Sequence, residues 1–389
     1  MLTEHFHNTQ KDTGHYSNDL RYVLSLQNTI AAFEEIKTWE GYAKTPLHSL
    51  DSMASDIGVK NIYYKDESSR FGLGSFKALG GTYGVLKFIH HALKKEIGDE
   101  VSMKDIHAGK YSEKISKYTV TTATDGNHGR SVAFGAKLFG CKCQIYIHSE
   151  VSSGRQKAME DLEATVNRVS GNYDESLQIC IEDAGKNNWY VISDTSYEGY
   201  TKYPRYIMAG YNVMAEEIID QIKDRPLPTH VFLQGGVGSF PGAICGYFWE
   251  KFPGNNIKFV VVESKHAPCL IRSAQNNQMT SVNIKQETMM AGLSCGEPSL
   301  LGWEILRSGT DDFITINDSS IPGLMRLLAK NNLKIEAGES SVAGLAGLIE
   351  SMEDQKIAKA MGLNKESIVL LFGTEGATDP DIYRSIISE

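Results

Sequence analysis

Three short runs hold the residue types that chemistry needs. They are Gly74-Ser75-Phe76-Lys77-Ala78-Leu79-Gly80-Gly81, Thr124-Asp125-Gly126-Asn127-His128-Gly129 and Gly235-Gly236-Val237-Gly238-Ser239. A lysine between a glycine turn and a helix start presents its amine into a cleft, and an amine in a dry pocket can form a Schiff base with an aldehyde cofactor. The second run joins a strand to a helix, where free backbone N–H groups and the helix dipole suit a carboxylate. The three glycines of the third leave the backbone bare, so that its amides can converge on a phosphate. Each run also has a plainer reading. Lys77 could be a solvated residue after a turn, and Asp125 or Asn127 could simply cap the helix, which is compatible with anion binding. Lys77 is not in a Walker loop, since Phe76 precedes it and Ala78 follows, and Gly235–Ser239 lacks dinucleotide spacing.

Further along, the apolar run Ile368-Val369-Leu370-Leu371-Phe372 enters Gly373-Thr374-Glu375-Gly376, a turn whose hydroxyl suits a heterocycle nitrogen or which is only a strand exit. Glu336-Ala337-Gly338-Glu339-Ser340-Ser341 reads as the cap of a helix starting near Ser340. His128 is read as structural rather than catalytic. Trp189, Tyr190, Tyr197, Tyr200, Tyr203 and Tyr206 are read as core and cleft lining.

The elements that must position these groups alternate between strand and helix. Tyr118–Val120, Cys143–Ile147, Tyr190–Ile192, Val231–Leu233, Phe259–Val262 and Ile368–Leu371 are short apolar runs without polar alternation, as in parallel strands covered on both faces. Helical stretches run from Asn127 to Phe139, Arg155 to Glu163, Asp174 to Gly185 and Tyr206 to Lys223. This alternation predicts an α/β architecture with open, doubly wound sheets, whose ligands sit at the carboxyl ends of strands. The polar stretch Asp224–Pro228 is a connection, and His266–Glu297 is expected to be irregular site wall. The boundaries of a smaller, inserted domain are placed near residues 88 and 205, giving 1–88 with 206–389 and, between them, 89–205.

The chain has 389 residues, 41% of them hydrophobic, enough for two domains with substantial cores. Its net charge of −9 argues against nucleic acid as a partner. The N-terminal sequence shows no secretory signal, and no apolar run is long enough to cross a membrane. The six cysteines are scattered, and Cys141-Lys142-Cys143 lacks the two-residue gap of a zinc or redox pair, so reduced cytoplasmic thiols and no metal site are expected. Cys269 and Cys295 bracket the irregular segment; a disulfide there would stiffen it, although the compartment reads as reducing.

From about Thr45 to Asp379 these residues resemble the fold-type II pyridoxal-phosphate (PLP) enzymes, the tryptophan-synthase β and threonine-dehydratase family. The resemblance implies two open, twisted, mostly parallel α/β domains with the active site in the cleft between them, and a homodimer. It implies that Lys77 joins the cofactor aldehyde, that Asn127 contacts its 3-oxygen, and that Gly235, Gly236, Val237, Gly238 and Ser239 hold its phosphate. Thr374, or Gly373 beside it, would face the pyridine nitrogen. Within the family, Asp125 two places before the asparagine, the run Ser193–Tyr200 and the run Phe372–Asp379 look most like the diaminopropionate ammonia-lyase subfamily. That likeness implies α,β-elimination of 2,3-diaminopropionate to pyruvate and two ammonia. Lys77 and Asp125 would be the bases on opposite faces, for the L- and D-isomers. Thr124, Asp125, Gly126, His128 and Asp194 would form the substrate site, the acids attracting a β-ammonium group. A serine or threonine dehydratase of the same fold, losing water instead, is the alternative.

Overall fold

The computed structural model describes residues 4–12, 14–124, 126–171 and 173–388, with nothing of the side chain of residue 174. Asp125 therefore lies outside the described residues.

The strands are β1 (Glu4–His7), β2 (Leu47–Ser49), β3 (Asn61–Asp66), β4 (Thr119–Ala123), β5 (Lys142–Ile147), β6 (Thr165–Arg168), β7 (Tyr190–Val191), β8 (His230–Gln234), β9 (Lys258–Ser264), β10 (Asp312–Ile316) and β11 (Ile368–Gly373). They form a seven-stranded sheet, β1-β10-β9-β8-β11-β3-β2, and a four-stranded sheet, β6-β5-β4-β7. In the larger sheet β10, β9, β8, β11 and β3 run parallel, and β1 and β2 close the edges antiparallel. The smaller sheet is wholly parallel.

Two compact units carry these sheets. One comprises Met1–Phe76, Thr195–Gly199 and Tyr211–Glu389, the other Lys77–Asp194 and Tyr200–Gly210. The first change-over falls at Phe76/Lys77 and not near 88, because Lys77–Ile97 is one unbroken helix packed along helix Asn127–Phe139. A Cβ on Gly81 would lie 1.8 Å from Ser131 Oγ, so the two helices meet at a distance only glycine permits. The return lies near 210 and not 205, since the chain at Gly210 rests on Gly80, where a Cβ would come within 2.8 Å of its Cα.

In the larger unit, β8 carries His230–Gln234, all buried. Phe232, Val260, Val262 and Ile314 pack beneath helix Ala343–Glu353 through Ala343, Leu345 and Ala346. Helix Ser239–Lys251 leads from β8 to β9, whereas β11 lies on the other side of β8. The winding thus reverses between β8 and β11, and in doubly wound sheets ligands bind outside the carboxyl ends of the strands at such a reversal.

A fully buried ion cluster braces the other flank. Lys65 Nζ donates to Glu217 at 2.7 Å, and Arg70 donates to Glu217 at 2.8 Å and to Glu67 at 2.7 Å. Burial pushes the Glu217 carboxyl up, but the bonds from Arg70 and Lys65 outweigh it and hold the group at about 2.

Two expectations change in detail. The stretch from 206 to 223 is two helices, Lys202–Tyr211 and Val213–Gln221, broken at Asn212. The segment expected to be irregular holds helix Cys269–Asn276, whose second and third amides, those of Leu270 and Ile271, donate to Glu263 of β9 at 2.8 and 2.7 Å.

Candidate active site

Within the smaller unit, Lys77 is the first residue of its helix, and its Nζ forms an ion pair with the Asp194 carboxylate. The lysine side chain is 21% exposed and the aspartate 13%, so the pair is only partly screened by water. Helix Asn127–Phe139 begins at the end of the β4 loop with Gly126 at its cap. No side chain at Gly126 can cap it. Thr124 Oγ1 does so instead, accepting the N–H of Gly126 at 3.0 Å and of Gly129 at 3.1 Å. Both acceptor positions of this hydroxyl are filled, leaving its hydrogen to be donated. The aliphatic stem of Arg155 covers Gly126, where a Cβ would stand 3.2 Å from Arg155 Cδ.

His128 is buried. Its Nε2 donates to the Ile192 carbonyl at 2.8 Å, tying the helix start to the chain two residues before Asp194, and Nδ1 has no hydrogen-bond partner among the described residues. Burial lowers its pKa, with Lys77 acting in the same direction and Asp194 against, so the ring is neutral. The structural reading of His128 accounts for these bonds.

Within the larger unit, the Gly235–Ser239 loop joins β8 to its helix. Gly235 N–H is spent on Val262 O at 2.7 Å, so donors for an anion must come from the loop residues after it. A Cβ on Gly235 would meet Glu263 Cγ at 2.7 Å, and one on Gly236 would stand 3.2 Å from Gly292 O and 3.5 Å from Cys295 Sγ. Cys269 Sγ lies 3.6 Å from Gly236 O, so both cysteines of the expected wall border the loop, and neither is in a disulfide. Burial raises the Glu263 carboxyl to about 8, against the pull of its two amide donors.

Thr374 follows β11 and is buried, its hydroxyl 3.5 Å from Ser341 Oγ. Its carbonyl accepts the Phe76 N–H at 3.1 Å, and Gly376 N–H donates to Gly74 O at 2.9 Å. The residues immediately before Lys77 are thus laced antiparallel to the turn after β11, with a bridge between Ser75 and Glu375.

Sequence reading missed Gln234 and did not tie Glu375, Ser340 and Ser341 to one another. The Glu375 carboxylate binds the Ser340 hydroxyl and N–H, Ser341 Oγ accepts the Glu375 N–H at 2.6 Å, and Gln234 Nε2 donates to Phe372 O at 2.6 Å and Ser340 O at 3.2 Å. A lone amide side chain ending an apolar strand was the available signal for Gln234. Its Oε1 is buried without a hydrogen-bond partner.

Taken unit by unit, these groups suit the parts of a phosphorylated heteroaromatic aldehyde: in the larger unit the amides of the glycine loop suit a phosphate and the Thr374 hydroxyl at the neighbouring strand end suits a ring nitrogen, and in the smaller unit a helix-starting lysine suits an aldehyde. Residues 38–373 match the family model described as pyridoxal-phosphate dependent enzyme. The chain belongs to that family. It is 38% identical over 357 residues to the diaminopropionate ammonia-lyase of Escherichia coli K12, covering 90% of this chain and 88% of that protein. The crystal structure of the E. coli diaminopropionate ammonia lyase in complex with an aminoacrylate-PLP azomethine reaction intermediate superposes with a TM-score of 0.88 at 34% identity, covering 100% and 97% of the two chains. Threonine deaminase isoform 2 of Solanum lycopersicum shares the fold, with a TM-score of 0.77 at 20% identity and coverage of 100% and 97%. Among the described residues no helix is long and apolar enough to cross a membrane.

Proposed function

We propose that this chain eliminates ammonia from 2,3-diaminopropionate, releasing pyruvate and a second ammonia, and that Lys77, Asn127, Gly235, Gly236, Val237, Gly238, Ser239 and Thr374 hold the PLP that the reaction uses. The observation that carries this reading is the pairing of the helix-starting Lys77 with Asp194, in a chain so similar to diaminopropionate ammonia-lyases.

PLP supplies an electron sink for the charge left at the α-carbon. The protein's own groups do the rest. Lys77 takes the α-proton from one face, and Asp125 takes it from the other, which admits both enantiomers. The substrate carboxylate is received at the start of helix Asn127–Phe139. There the Thr124 hydroxyl hydrogen and the His128 amide are the donors, while the Gly126 and Gly129 amides serve the Thr124 cap. Asp194 holds the β-ammonium. A neutral serine hydroxyl gains little from a carboxylate there, so the acid favours loss of ammonia over loss of water. The reading extends to a homodimer, on family resemblance, and to a cytoplasmic location, supported by six cysteines outside any disulfide.

The test is to supply the PLP-loaded protein with each enantiomer of diaminopropionate and follow pyruvate. Turnover of either is expected, and its absence with both refutes the reading.

A further inference from the structure

The run Ser193–Tyr200 contains more than Asp194. Its middle, Thr195–Gly199, belongs to the larger unit, where Ser196 is fully buried at the start of helix Leu300–Gly309. That helix has Ser299 at its cap, yet the Ser299 side chain caps nothing of its own helix. Ser196 does so from 103 residues away. Its carbonyl accepts the Leu300 N–H at 2.8 Å and its hydroxyl accepts the Leu301 N–H at 2.8 Å. Ser299 Oγ is turned to Ser196, accepting its N–H at 2.9 Å and lying 2.7 Å from its hydroxyl. The borrowed cap leaves the Ser299 N–H free to reach elsewhere, and it donates to the Val237 carbonyl at 2.6 Å.

Val237 is in the glycine loop, and this bond sets the direction of one of its donors. In a trans peptide the C=O of one residue and the N–H of the next point to opposite sides. Fastening Val237 O to Ser299 therefore turns the Gly238 N–H away from helix Leu300–Gly309, toward the loop's other face. Gly238 has φ +98°, which glycine alone adopts without strain. Gly302 completes the buttress. A Cβ there would sit 2.5 Å from Gly238 O and 3.0 Å from Ser239 N, so the helix presses its bare face on the loop backbone.

We propose that Ser196 and Ser299 are positioning residues for the phosphate cradle: they aim the Gly238 amide at the cofactor phosphate through the Ser299 N–H to Val237 C=O bond. This rests on the assignment of Gly235–Ser239 to that phosphate. Neither side chain touches the cofactor in this account.

The experiment compares Kd for PLP with Kd for pyridoxal, which lacks the phosphate, by titrating apoprotein and following cofactor absorbance. If the wild-type protein does not prefer PLP, the cradle assignment itself fails. If it does, Ser299→Pro removes the N–H at a φ of −74° that proline accepts. Loss of one aimed donor to a charged phosphate is expected to weaken PLP by about 10- to 100-fold, leaving pyridoxal within about twofold. Ser299→Ala keeps the N–H and is expected to lose less. Should Ser299→Pro not fold, Ser196→Ala decides: PLP affinity falls several-fold, pyridoxal affinity holds, and Ser196→Thr restores the PLP value. Equal loss for both ligands, or for neither, overturns the proposal.

Discussion

Replacing Asp194 by Asn keeps the size and shape of the side chain and deletes its charge. Before the cofactor takes Lys77, that charge pairs with the Lys77 ammonium. Two unit charges about 4 Å apart in an effective dielectric of about 20 attract by roughly 4 kcal/mol. With 21% and 13% of the two side chains still meeting water, a net value of about 1.5–3 kcal/mol is appropriate for a bond between charged groups. In turnover the account gives this energy to the β-ammonium of the substrate, so it belongs to diaminopropionate and not to serine. kcat/KM for diaminopropionate should therefore fall about 10- to 100-fold in Asp194→Asn, while kcat/KM for L-serine changes less than about threefold. The assay is a coupled pyruvate measurement at saturating PLP, with the cofactor spectrum recorded to show that loading is unchanged. A parallel fall for both substrates would mean that Asp194 serves the lysine or the fold and not the leaving group, and would refute the reasoning.

Asp125→Asn should lose activity on the D-isomer far more than on the L-isomer, by about 100-fold or more in their ratio, whereas equal losses would remove the two-base scheme. Lys77→Ala should abolish both turnover and the lysine-dependent absorbance of bound PLP; an unchanged spectrum would displace Lys77 from its role. Glu217→Gln leaves buried Lys65 and Arg70 short of a counter-charge and should destabilise by about 3–5 kcal/mol in urea unfolding, without changing the preference between diaminopropionate and serine. Its carboxyl sits at about 2 in the folded chain against 4.5 unfolded, so its contribution is fully present above pH 4.5 and is lost as pH falls toward 2. The wild-type advantage over Glu217→Gln should accordingly shrink across that window, and an advantage independent of pH would exclude the network as its source.

What was legible in the sequence followed from local chemistry. Apolar runs marked β4, β5, β7, β8, β9 and β11, in which few residues are charged because most of their positions are out of water. β3 escaped because Lys65 and Asp66 interrupt it, and the counter-charge that lets Lys65 be buried there is Glu217, 152 residues away. β1, with two histidines and a glutamate in four residues, is an edge strand whose partner β10 supplies Asp312 to both His5 and His7. Helix Cys269–Asn276 was hidden for the same reason as the Ser196 cap: the residue that satisfies its first amides, Glu263, comes from another element. The three glycine-bearing runs could be read because their chemistry lies in a few neighbouring positions. The lacing of Gly74–Phe76 to Thr374–Gly376 could not, since it joins main chain about 300 residues apart and carries no side-chain signature.

The central claim, loss of ammonia from the β-carbon followed by release of pyruvate, is tested most directly by product stoichiometry. Purified, PLP-loaded protein would be given D- or L-2,3-diaminopropionate, L-serine or L-threonine, with ammonia and 2-oxo acid measured in the same sample. The account predicts two ammonia for each pyruvate from diaminopropionate and little product from either hydroxy amino acid. One ammonia per oxo acid, formed chiefly from serine or threonine, would contradict it and make the enzyme a dehydratase.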